Sequence, residues 1–456
     1  KNIEIFTDLY KELDMFYVDE INPGDLIKTA IDEMLNSLDP YTTYIPESDI
    51  EDYRFMTTGQ YGGIGAIITK RPEWEYVIIS EPYEGFPAQK AGLMAGDKIL
   101  EVNGKSAKGK TTEELSSILK GAPNTTVTIR IERDNLNHKY TFNREKVTVK
   151  SVPYYGFLED GIAYIRLRSF TRNCANDIKS SLADLKSQQE LKGIILDLRS
   201  NPGGLLNESI DIVNLFVDKG EEIVTTKGKI KDWDKTYVAK YNPEDKETPL
   251  IVLINQNSAS ASEIVSGSIQ DLDRGLIIGR RSFGKGLVQQ TRQLPYNSQL
   301  KVTVAKYYIP SGRCIQSLDY SNRNKDGSVG QVPDSLISIF YTRSGREVKD
   351  GGGITPDIII KKEEVSDIAI SLMSKRLVFD FATQFRYKNE TITSIENFVI
   401  TDEIFNNFVE FLSDKEYQYT TATEDALDIF KEITDEEGTS DLILEEFNLL
   451  TEKIKF

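Results

Sequence analysis

Apolar residues recur at helical spacing through the first part of the chain. Ile5, Leu9, Leu13 and Phe16 form one stripe; Leu26, Ile27, Ala30, Ile31, Met34, Leu35 and Leu38 form a second. Asn22-Pro23-Gly24 predicts a turn between them, and Asp39-Pro40 predicts the end of the second helix. Residues 1–58 therefore read as a helical region, a small bundle. From Gly59 the pattern changes to glycines and short β runs, Ala66-Ile67-Ile68 and then Tyr76-Val77-Ile78-Ile79. Asn103-Gly104 is a tight-hairpin dipeptide. Thr111 to Lys120 predicts a helix with Leu115, Ile118 and Leu119 on one face, stopped by Gly121, and Val127 to Glu132 alternates as a strand.

Between 146 and 362 buried-strand patterns alternate with helical ones. Gly161–Ile165, Gly193–Leu198 and Pro249–Ile254 predict strands; Ala175–Leu185, Glu208–Val217 and a segment from near Ser260 to about Leu272 predict helices. That alternation favours an α/β layer fold. Residues 363–456 are acidic and helical, with no chemical motif. The fold class expected is α/β multidomain: a helical N-terminal region (1–58), a β-rich unit (59–145), an α/β core (146–362) and a helical C-terminal extension (363–456).

The 456 residues carry a net charge of −17, which argues against a phosphate-backbone partner, and no apolar run approaches membrane-spanning length. The first residue is Lys1 rather than Met, read here as removal of an upstream segment, for which a signal peptide or a lipid anchor is a candidate. Cys174 and Cys314 are expected to be free buried thiols, and no metal or cofactor motif is present.

The single histidine, His138, falls in a polar run expected to be an exposed loop. An amide hydrolase built from this chain would need Lys, Asp or Glu as its base, because the Ser-His-Asp and Cys-His machineries both use imidazole. Three stretches at strand ends are candidates: Asp197-Leu198-Arg199-Ser200-Asn201-Pro202-Gly203-Gly204, Asn257-Ser258-Ala259-Ser260-Ala261-Ser262-Glu263, and Ser282-Phe283-Gly284-Lys285-Gly286-Leu287-Val288-Gln289. Ser260-Ala261-Ser262-Glu263 also fits a capping box, in which Ser260 would only begin a helix.

Two resemblances join these observations. Residues 59–145, with Gly62-Gly63-Ile64-Gly65-Ala66, Pro87-Ala88, Lys90-Ala91-Gly92-Leu93, Gly96-Asp97 and Val102-Asn103-Gly104, resemble a PDZ domain, departing only at Gly85-Phe86-Pro87. By that resemblance Gly63, Ile64, Gly65 and Ala66 would bind a peptide carboxylate, with Leu115 and Ile118 lining the groove. The ordered set of Leu38-Asp39-Pro40-Tyr41-Thr42-Thr43-Tyr44, the PDZ-like unit, the three stretches above, Tyr307 to Gln316 and Gly352-Gly353-Ile354-Thr355-Pro356-Asp357 resembles the C-terminal processing (tail-specific) peptidases over about residues 1–362.

The second resemblance implies a crotonase-like α/β peptidase core with Ser260 as nucleophile, Lys285 as general base and Gln289 orienting the lysine. The amide of Ala261 and one from Gly203 or Gly204 would form the oxyanion hole. A lysine can serve as base where burial lowers its ordinary pKa of about 10.4. Arg199 is expected to position the glycine loop, and Tyr307, Tyr308, Pro310 and Arg313 to shape the core beside the site. The implied activity is endoproteolysis near protein C-termini in a bacterial extracytoplasmic compartment, without cofactor. The partners are protein tails, and the helical termini are candidate homodimer surfaces. Two alternatives stand beside it, a non-catalytic scaffold that binds protein tails and crotonase-like acyl chemistry.

Overall fold

The computed structural model describes residues 1–454 except 160, 325–327, 363–364, 390, 393, 395–396 and 418–421. The chain divides into two compact units, one of residues 1–61 and 148–362, the other of residues 62–147 and 363–456.

The first unit is built on a six-stranded sheet in the order Tyr154–Glu159, Ile162–Arg166, Gly193–Asp197, Leu250–Ile254, Leu276–Gly279 and Ile358–Ile359. The first pair is antiparallel and every later pair parallel. The central strands read as unbroken Ile, Leu and Val because helices cover them, as a parallel sheet requires. Cys174–Gln188, Leu206–Asn214 and Ala261–Asp271 are those helices. Ile178, Leu196, Phe216, Val252, Val265 and Ile269 belong to the resulting core.

A second, antiparallel sheet accompanies it, which the sequence pattern did not reveal. Its central strand, Gln299–Tyr308, pairs with Thr43–Ile45, with Glu222–Gly228 and with Leu287–Gln293. These strands mix Lys, Gln and Thr with apolar residues and are mostly half-buried, so no hydrophobic run marks them.

The N-terminal helices are Asn2–Phe16, Pro23–Asn36 and Ile50–Thr58. The expected bundle is not formed: the first helix buries none of its residues, and Leu9, Leu13 and Phe16 are exposed. The reason is that, among the described residues, no apolar face covers its stripe.

In the second unit, five antiparallel strands run from Ala66–Thr69 through Ile78–Pro82, Lys98–Val102 and Thr126–Arg133 to Leu136–Asn143. The helix Thr112–Leu119 closes over them, begun by a capping box between Thr111 and Glu114. Ile79, Leu93, Ile99, Leu115, Ile129 and Ile131 fill the interior. His138 is not in a loop. It lies opposite Ile131 on the last strand, half-buried and stacked on Tyr140, because the polar run Asp134–Asn137 is itself the tight hairpin turn and strand start. Three helices follow, Asp367–Ser374, Leu377–Lys388 and Asp402–Leu412, and the last two gather Phe381, Phe385, Phe408 and Phe411 into one aromatic cluster. The Leu377–Lys388 helix also docks on the β-rich part of this unit, Asp380 pairing with Arg71 at 3.2 Å and the Tyr387 hydroxyl donating to the Ala95 carbonyl at 3.0 Å.

Candidate active site

Ser260 ends the loop after the Leu250–Ile254 strand and immediately precedes the helix Ala261–Asp271. Its backbone sits at φ 56°, ψ −112°. A non-glycine residue there carries a cost on the order of 1–3 kcal/mol and persists only when its surroundings hold it. Several bonds do so. The Ser260 N–H donates to Glu263 Oε2 at 2.7 Å, and the Tyr307 hydroxyl oxygen lies 3.2 Å from the Ser260 carbonyl oxygen. On either side, the Ala259 N–H (3.0 Å) and Ser262 hydroxyl (2.9 Å) donate to the Asn201 carbonyl.

Glu263 ties this corner to the lysine loop. It is fully buried, and Oε2 accepts the Lys285 N–H at 2.8 Å as well as that of Ser260. Oε1 accepts the Gly284 N–H at 2.7 Å and the Ser282 hydroxyl at 2.6 Å. Burial pushes the carboxyl's pKa up, and these four donors oppose it. The Tyr307 hydroxyl completes the junction by donating to the Lys285 carbonyl at 2.5 Å. The capping box and the expected nucleophile position thus coincide: Glu263 begins the helix and joins Ser260 to Lys285.

The glycines around Lys285 answer to a neighbouring segment. A Cβ on Gly284, at φ +88°, would lie 2.5 Å from Ser317 Oγ, and one on Gly286 would lie 2.8 Å from the Gln316 nitrogen. Lys285 is half-buried, and its pKa is lowered to about 8, chiefly by desolvation and then by Lys301; Asp39 and Glu263 pull the other way. Its Nζ lies 4.0 Å from the centroid of the Tyr41 ring. Among the described residues no hydrogen bond joins the Ser260 and Lys285 side chains. Nor is the expected contact from Gln289 to the amine formed. The strand register slips beside Gln289, which faces Thr303 and donates to its hydroxyl at 3.2 Å.

The Gly203-Gly204 loop lies against the serine. A Cβ on Gly203 (φ +94°) would fall 2.6 Å from the Ala259 carbonyl oxygen and 2.9 Å from both the Ala261 nitrogen and Ser260 Cβ. The Gly203 N–H donates to Asn201 Oδ1 at 2.9 Å. Among the described residues the Gly204 and Ala261 amides have no acceptor. Arg199 does not reach this loop with its guanidinium, which pairs instead with Asp197 at 2.7 Å. Asn201, fully buried and bonded to both the loop and the serine corner, is the positioning residue that sequence reasoning passed over; its place just before Pro202-Gly203-Gly204 was the available signal. Tyr307 and Arg313 are buried as expected, Arg313 in an ion pair with Asp271 at 2.8 Å. A cavity of about 470 Å³ adjoins the site, lined by Leu205, Trp233, Tyr237, Val288, Gln289 and Ala305 among others. Both cysteines are free, Cys174 buried and Cys314 only half-buried.

In the second unit, buried Gly63 ends a short strand, Ile64 and Gly65 form the buried loop after it, and Ala66 starts the following strand. Among the described residues the Ile64 and Gly65 amides make no hydrogen bond. A Cβ on Gly65 (φ +72°) would meet Phe86 Cβ at 2.4 Å, so the departure at Phe86 and the glycine fit one another. Leu115 is enclosed in the core and cannot line an open groove, whereas Ile118 remains half-buried.

This arrangement belongs to a known class. Residues 161–321 match the family model for peptidase family S41, residues 78–133 that for the PDZ domain, and residues 368–456 one described as "Probable PDZ-protease, C-terminal helical domain". The chain is 39% identical over 323 residues to a carboxy-terminal-processing protease of Bartonella bacilliformis, covering 70% of this chain and 73% of that protein. It is 36% identical over 317 residues to a "Probable CtpA-like serine protease" of Staphylococcus aureus, covering 69% of this chain and 62% of that protein. Among solved structures it is similar to the photosystem II D1 C-terminal processing protease, with 27% identity, a TM-score of 0.42, and coverage of 79% of this chain and 93% of that one. The chain belongs to the carboxy-terminal-processing protease family, PDZ-bearing peptidases with an S41 core. No described helix is long and apolar enough to cross a membrane.

Proposed function

We propose that the protein is a serine endopeptidase that cleaves proteins near their C-termini, with Ser260 as nucleophile and Lys285 as general base. The observation that carries this reading is the shared Glu263 carboxylate, which binds the backbone N–H of Ser260 and of Lys285 on one oxygen. A depressed lysine pKa supports it, since only the neutral amine can accept the serine proton.

In the acylation step the Ser260 proton passes to the Lys285 amine as Oγ bonds to the scissile carbonyl carbon. The C–N bond then breaks, and the lysine ammonium returns its proton to the leaving amine. Water attacks the acyl-enzyme as its proton passes to the lysine, the ester bond breaks, and Ser260 Oγ regains a proton. The Ala261 amide and the Gly204 amide, free of other acceptors, are the favoured oxyanion donors, and loss of one such donor costs ~3–4 kcal/mol. Gln289 would orient the lysine only after exchanging its bond to Thr303. The cavity beside Leu205 and Val288 would take substrate side chains. The Ile64 and Gly65 amides would hold the carboxylate of a substrate tail, with Gly63, Ala66 and Ile118 around it. A bacterial extracytoplasmic location fits its relatives' source and the family.

The test is incubation of wild type, Ser260→Ala and Lys285→Ala with an unstructured, tail-bearing protein, read by mass spectrometry. Both variants should lose cleavage while retaining tail binding. A wild-type protein that binds tails without cutting them would make it a scaffold.

A further inference from the structure

The stretch Leu38–Tyr44 has no role in the dyad, yet it closes over the lysine. The buried Asp39 carboxylate accepts the N–H groups of Tyr41 and Thr42 on Oδ1, each at 2.8 Å, and the Thr42 hydroxyl on Oδ2 at 3.0 Å. That turn delivers Thr43–Ile45 to the central strand of the second sheet, Thr43 opposite Lys301. The Thr303 N–H donates to the Thr42 hydroxyl at 3.1 Å, fixing the turn to the strand that also binds Gln289. Tyr41 is therefore held from its own backbone. Tyr320 packs edge-on against its ring, with centroids 6.1 Å apart at 83°. The ring face meets Lys285 Nζ at 4.0 Å.

An aromatic face attracts an ammonium and gives a neutral amine little. Tyr41 thus stabilises the protonated form of Lys285, which cannot take a proton from Ser260. The other charged groups acting on the amine are Lys301 from the central strand, Asp39 from the turn and Glu263 from the serine helix. We propose that Tyr41 is a positioning residue that holds the Lys285 ammonium on its ring face, so that the dyad rests in a protonated, unpaired state. This rests on the reading of Lys285 as the base.

The test compares the pH dependence of kcat/KM in wild type, Tyr41→Leu and Tyr41→Phe, with Ser260→Ala and Lys285→Ala as blanks. In Tyr41→Leu, which keeps an apolar side chain and loses the ring, the acid limb should move down by about 0.5–1 pH unit. Tyr41→Phe, which keeps the ring, should stay near wild type. A second measurement needs no turnover: competitive acetylation of Lys285 by acetic anhydride across pH, in Ser260→Ala with and without Tyr41→Leu, should show the same shift. Tyr41→Met replaces the leucine variant if that one does not fold. Unchanged lysine titration in the leucine or methionine variant overturns the inference while leaving the dyad intact, as does an equal shift in Tyr41→Phe. Cleavage that survives in the blanks removes the dyad and this inference with it.

Discussion

Lys285 is only half-buried, yet desolvation and Lys301 together outweigh Asp39 and Glu263 and leave its pKa at about 8. Its folded pKa lies below the free value, so the neutral fraction, the one able to act as the proposed base, grows as pH rises through 8 and saturates above it. Between pH 6 and pH 8 kcat/KM should increase roughly fifty-fold, as a single-proton limb. Replacing Lys301 with Met removes a like charge, so the limb should move to higher pH. Glu263 offers a second residue-level prediction. In Glu263→Gln, either orientation of the amide turns an NH₂ toward at least one backbone N–H that now has an acceptor. Stability should fall by about 2–4 kcal/mol, read from denaturant midpoints, and cleavage should fall with it.

Short elements place the chemistry, and they were unevenly legible. The strands and helices of the parallel sheet follow continuous Ile, Leu and Val runs, so pattern alone located Gly193–Asp197, Leu250–Ile254 and the serine helix. The antiparallel strands escaped because half-exposed faces carry no distinctive run, and with them went the register slip that turns Gln289 toward Thr303. The glycine loop could be recognised as special, but not which atoms required it. Gly203→Ala would drive a Cβ to 2.6 Å from the Ala259 carbonyl at a φ that alanine rarely adopts. It should destabilise by ~1–3 kcal/mol and lower kcat/KM by at least about ten-fold, the loss falling mainly on kcat.

At the scale of the molecule, the C-terminal helices are part of the PDZ-bearing unit rather than a free appendage. The approach at Gly96 is close: a Cβ there would lie 2.2 Å from Thr383 Cγ2 and 2.8 Å from the Tyr387 hydroxyl. Gly96→Val should therefore loosen the Leu377–Lys388 helix. Hydrogen exchange in that helix should accelerate while the strands around Ile129 stay protected; uniform acceleration would mean general unfolding instead.

What the sequence by itself determined is the inventory: the α/β and PDZ-like patterns, the family, and the candidates Ser260 and Lys285. These depend on local periodicity and ordered motifs, which are properties of the chain read in one dimension. The tertiary structure decided which groups face one another. That Glu263 joins serine to lysine, that Asn201 rather than Arg199 holds the glycine loop, and that Tyr41 covers an amine 244 positions away are consequences of packing between distant segments. No local pattern encodes a distance between such segments, because that distance is set by how the whole core closes.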